Sequence, residues 1–176
     1  MDRARFNQAL NVTSMGLILT DSDKKFIECV FRNPGILAHA ANSVDTEIQA
    51  LVAALVAVSQ PDGNVILVGP SNRTCQEFIT SADGWLNNFK TSAEFGYNLV
   101  KLDSRECITI ETTFTQTTST ITAVSGMTDP SNLRGMGKNL KLLIIATAEP
   151  WGKDHPMLPT LLPLLVNGAQ FVVCRV

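Results

Sequence analysis

Chemistry is first sought in the run Ala40-Ala41-Asn42-Ser43-Val44-Asp45-Thr46. It lies between a short apolar strand candidate at 36–40 and a helical pattern over 44–58. A strand-to-helix turn presents backbone N–H groups and the positive end of a helix to an anion. A phosphate cradle there needs glycine for close approach, lysine for the phosphate charge and a hydroxyl residue for magnesium. Aligning Thr46 with the hydroxyl position puts Val44 in the glycine's place and Asp45 in the lysine's. Asp45 would oppose a negative ligand. It would complement the helix N-terminus itself, by about 0.3–1 kcal/mol. The plainer reading is a helix cap made by Asn42 or Ser43, with Asp45 in the first turn. The sharper one is a degenerate nucleotide loop of Asn42, Ser43, Val44, Asp45 and Thr46.

Other reactive residue types are sparse. Gly137 and Lys138 form a Gly-Lys pair, but no glycine stands five residues before Gly137, and a strand comes after it where one should precede. The apolar run 140–148 leads to Glu149, the only acid near its end and thus the candidate for positioning an attacking water. No carboxylate pair, Ser–His–Asp pattern or G-x-S-x-G elbow is present. Cys29, Cys75, Cys107 and Cys174 are far apart with no C-x-x-C pair and read as buried free thiols. His39 and His155 have no metal-ligand spacing, so no metal site is expected.

These positions need a scaffold, and the chain has one. Its 176 residues are enough for a single domain with a real core, and 45% are hydrophobic, which excludes a disordered chain. With 14 basic and 16 acidic residues the net charge is -2, so this is not a globally basic nucleic-acid-coating protein. The longest apolar stretches, 51–59 and 140–148, fall far short of the roughly 20 residues a membrane span needs. The first residues, Met1-Asp2-Arg3-Ala4-Arg5, lead into no apolar run of a secretory signal, so an intracellular protein is expected.

Thr20-Asp21-Ser22-Asp23 offers caps for a helix over 24–31. In 44–58, Ile48, Leu51, Val52 and Leu55 recur as one helical stripe, with alanines allowing close packing. Residues 64–69 read as a buried strand ended by Gly69 and Pro70. Residues 71–90 read as a helix with Phe78, Ile79, Trp85 and Phe89 inward. Alternation over 107–114 and 119–124 predicts half-exposed antiparallel strands. Residues 140–148 predict the central strand, Asp154-His155-Pro156 a helix start, and 170–176 a last strand. The order implies an α/β fold: a mostly parallel central sheet with helices on both faces, plus an antiparallel β-hairpin insertion.

This succession resembles the N-terminal ATPase domain of viral DNA-packaging terminase large subunits, a P-loop NTPase family. Residues 24–31 stand where the family has a helix before its first strand, and 36–58 match strand, phosphate loop and helix. Residues 64–69 with Pro70-Ser71-Asn72-Arg73 are similar to the family's second strand and its next segment. Residues 107–124 resemble the hairpin region. Asn132-Leu133-Arg134-Gly135 resembles the family's Arg-Gly turn, 140–148 its acidic strand and 171–173 its coupling strand. The resemblance covers most of residues 20–176. Helicases share much of this plan.

The departures fall on the reactive positions. The loop's Gly-Lys pair matches Val44 and Asp45, and the Asp-Glu pair matches Ala146 and Thr147, with Glu149 the nearest substitute. The coupling Ser or Thr falls near Cys174 and Arg175. Losing the lysine and the acids together removes charge neutralisation and metal binding, of which phosphoryl transfer almost wholly consists. The resemblance therefore implies a pseudo-ATPase without ATP or magnesium as cofactors. It would be one domain over 1–176, with 1–20 as an N-terminal extension and no nuclease domain. Its role would be structural or in assembly for viral packaging, as a homo-oligomer or with packaging and capsid proteins. DNA would be met through the assembly, and no membrane is involved. The place would be the cytoplasm or nucleus of an infected cell, or the virion. Arg73, Arg134 and Arg175 are candidate arginines to act in trans. Two other readings remain open. One is an active ATP-using motor or helicase-like domain in which Arg134 or Lys138 supplies the missing charge. The other is a small α/β scaffolding module unrelated to nucleotides.

Overall fold

The computed structural model describes residues 19–32, 37–60, 62–90, 97–104, 106–112, 117–126, 133, 136, 139–147, 154–165 and 169–175. Helix α1 spans Asp21–Arg32, α2 Thr46–Ser59, α3 Asn72–Lys90 and α4 Leu158–Leu165. The strands are β1 Leu37–Ser43, β2 Asn64–Gly69, β3 Tyr97–Ser104, β4 Cys107–Thr112, β5 Thr117–Ser125, β6 Leu140–Thr147 and β7 Gln170–Arg175. They form one sheet in the order β1-β7-β6-β2-β5-β4-β3. The first five in that order are mutually parallel, and β4 and β3 continue the sheet antiparallel beyond β5. The expected α/β architecture is observed, with β6 in the middle of the parallel set. The expected hairpin is a larger wing, because β3 pairs along β4 as a third strand that alternation alone does not reveal.

The two faces of the sheet bury different residues. On one, Val65 and Leu67 of β2 and Leu142, Ile144 and Ala146 of β6 join a core with α1, α2 and α3. On the other, Ile66, Val68, Leu143 and Ile145 pack with Leu133, Met157 and Leu161. This is the period of two in a strand, with both faces apolar because both are covered. The chain travels from β1 to β2 through α2 on the first face. It travels in the opposite direction, from β6 to β7, through α4 on the second. Reversing direction and face together keeps one crossover hand.

Helix α2 departs from its sequence pattern. The spacing predicts one apolar stripe, yet every residue from Ile48 to Ser59 is buried. The helix lies on β2, β4, β5 and β6 and alongside α3, and its alanines Ala50, Ala53, Ala54 and Ala57 let these elements approach closely. Such a helix needs no polar face, because none of its sides meets water. Helix α3 keeps the amphipathic pattern: Phe78, Ile79, Leu86 and Phe89 are buried, while Trp85 is only half-buried.

The ends of the elements are fixed by short polar contacts. Thr20 caps α1, with its hydroxyl accepting from the Asp23 N–H while the Asp23 carboxylate accepts from the Thr20 N–H, a reciprocal box. The Ser71 hydroxyl accepts from the Thr74 N–H at the start of α3. The turn before β2 uses Asp62 at φ 53°, and Gly63 donates its N–H to Ser119 Oγ. No helix among the described residues is long and apolar enough to cross a membrane.

Four substitutions test this packing. Leu51 and Leu55 are fully buried in α2, so Leu51→Ala should lower unfolding free energy by about 2–5 kcal/mol in urea titration. The exposed Thr80→Ala should change it by less than about 0.5 kcal/mol. A Cβ on Gly69 would stand 2.8 Å from Cys75 Sγ, so Gly69→Ala should cost about 1–3 kcal/mol. Adding Cys75→Ala should recover part of that loss, read as coupling in a double-mutant cycle.

Candidate functional site

In an open α/β sheet the ligand position is the carboxyl edge, where neighbouring strands exit to opposite faces. Here β1 exits to α2 on one face and β6 exits to α4 on the other, with β7 between them. The register sets Ser43 of β1 beside Arg175 of β7, and Arg175 beside Thr147 of β6. Ser43, Arg175 and Thr147 thus form one row across the crevice, with Thr147 8% exposed.

The start of α2 closes this row. Strand β1 continues to Ser43, past the expected end at residue 40, so Asn42 and Ser43 are strand residues. Only Val44 and Asp45 connect it to Thr46, the first helical residue. Val44 is 1% exposed and belongs to the core around α2. The connection thus buries its first residue and exposes its second, Asp45. The helix cap is neither Asn42 nor Ser43 but Asp45, whose Oδ1 accepts from the Glu47 N–H at 3.1 Å. Its carbonyl accepts from the Gln49 N–H at 3.1 Å. A capping carboxylate satisfies a first-turn donor and meets the helix dipole with the favourable sign.

Sequence reasoning misses Gln49. It is 0% exposed. Its Nε2 donates to the Val44 carbonyl at 2.9 Å, which ties the connection to the first turn. Its Oε1 has no hydrogen-bond partner among the described residues. The signal is a lone amide at the head of the apolar run 48–58, and an uncharged group does not stand out among candidates chosen for charge.

Of the remaining candidates Arg73, Arg134, Lys138 and Glu149, Arg73 alone is among the described residues. Arg73 is exposed on the first turn of α3 and bonds Glu77 on its own helix at 2.9 Å; this bond and the charge beside it raise its pKa further. Arg134, Lys138 and Glu149 lie outside the described residues. Leu133, next to Arg134, is buried in the second-face core. No group of three or more His, Cys, Asp or Glu able to hold a metal occurs among the described residues. Cys75 and Cys174 are buried and Cys107 half-buried, all as free thiols; the side chain of Cys29 is outside the described set.

No protein-family model matches the chain, and no curated protein does. Solved structures do. Against a single-residue mutant of the ATPase domain of the large terminase of Thermus phage P74-26, the TM-score is 0.67 at 12% identity, over 91% of this chain and 66% of that one. The fold is that of a phage terminase ATPase domain. A second structure of the Thermus phage domain gives 0.62 at 14% identity, over 85% and 62%. The large terminase of another thermophilic bacteriophage gives 0.60 at 14%, over 90% and 39%. The chain therefore spans 66% or less of each of these relatives. In this terminase-like fold the row Ser43, Arg175 and Thr147 and the Asp45 cap occupy the carboxyl edge beside the first strand–helix connection.

Three outcomes are expected. Asp45→Ala should cost about 0.5–2 kcal/mol of stability, and Asp45→Asn much less, because an amide oxygen still caps. Burial pushes the Cys174 thiol from 9.0 up to about 12 and raises Cys75 as well. Stability from the neutral buried thiol is then complete below pH 9 and is lost as pH rises towards 12, since the unfolded chain ionises first. In the folded protein at about pH 8, peptide-resolved alkylation should label Cys107 well before Cys75 and Cys174.

Proposed function

We propose that this chain is a catalytically degenerate, terminase-like domain that serves as a structural or assembly component in viral DNA packaging. The observation that carries the reading is the self-capped start of α2. A helix that holds a phosphate keeps its first N–H groups and a nearby cation for the ligand. Here a two-residue connection leads in, its first residue is buried, and a carboxylate takes the Glu47 N–H. A triphosphate at this end would meet the charge of Asp45 without a lysine in the loop. The strand whose end would carry metal-binding acids closes on Ala146 and Thr147. Without those charges phosphoryl transfer loses its main source of stabilisation.

On this reading the domain works through association, with further copies of itself or with packaging and capsid proteins, and reaches DNA through that assembly. Its net charge of -2 gives it little independent pull on a polyanion. Its place is then the infected cell, in cytoplasm or nucleus, or the virion. The alternative is an active motor, favoured by one observation: the backbone register sets Arg175, a cation, in the same row as Ser43 and Thr147.

Calorimetric titration with ATP, with and without magnesium, separates the two. The expected result is binding no tighter than millimolar for the wild type. Asp45→Lys should not restore it, because one lysine does not supply the missing length of loop. Magnesium-dependent micromolar binding by the wild type, abolished by Thr46→Ala, would overturn the proposal and make the domain a nucleotide enzyme.

A further inference from the structure

We draw no further inference here: the strongest candidate, the half-exposed apolar patch that Leu164 of α4 and Phe171 and Val173 of β7 form with Met136 over the second-face core, is an unpartnered face among the described residues, and nothing in the structure shows what covers it.

Discussion

The complete burial of α2 is the constraint on which the rest of the molecule depends. Twelve consecutive residues, Ile48 to Ser59, are removed from water. Fully burying one Leu, Val or Ile side chain contributes about 1.5–3 kcal/mol, and this helix has several of them. A helix without a wet side must be enclosed, so the sheet and α3 are drawn to it. The alternate residues of β2 and β6 that face it must then be apolar, as Val65, Leu67, Leu142 and Ile144 are. Their neighbours Ile66, Val68, Leu143 and Ile145 face away and still require cover. A helix layer is therefore needed on the second face as well, and the single crossover hand selects the β6-to-β7 connection to supply it.

The same burial fixes the site. Burial holds the helix from Ile48 onward, while its first turn, with Thr46 half-buried and Glu47 exposed, meets water. Its entry is set by the end of β1, by Val44 in the core and by the Gln49 amide on the Val44 carbonyl. The unpartnered Gln49 oxygen carries a desolvation cost of about 1–3 kcal/mol. The surrounding apolar packing is large enough to hold it in place.

How much of the molecule is legible in the sequence depends on the strength of local signals. Strands β2 and β6 are near-continuous β-branched and leucine runs, and their ends lie within a residue of expectation. Helix α3 shows its inner face because its outer face is polar. Strand β1 is visible but reads short, since Leu37-Ala38-His39-Ala40-Ala41-Asn42-Ser43 has no β-branched residue; pairing with β7 makes it a strand. Strand β3 is paired on β4 alone among the described residues, and its register is irregular at two places, which blurs the alternation. The all-round burial of α2 is hidden for a different reason. Periodicity finds a contrast between faces, and this helix has none. The cap is ambiguous in the sequence because Asn42, Ser43 and Asp45 all have capping side chains. Only the length of β1, a matter of pairing with a distant segment, selects Asp45.

That selection links the fold to the proposed function. A helix N-terminus that serves a ligand stays unsatisfied until the ligand arrives, and the empty protein is less stable for it. A helix that caps itself is more stable when empty and gains less from an anion at the capped donor. With Asp45 on the Glu47 N–H, α2 belongs to the second kind at that donor. The architecture does not depend on the reactive residues: the core clusters are built from aliphatic and aromatic side chains, and Val44 adds to them where a glycine would not. At this turn Val44 stabilises the scaffold through burial and Asp45 through capping, and neither side chain offers positive charge to a phosphate. Burial at Val44 and capping at Asp45 both favour the fold, whatever the turn does for a ligand.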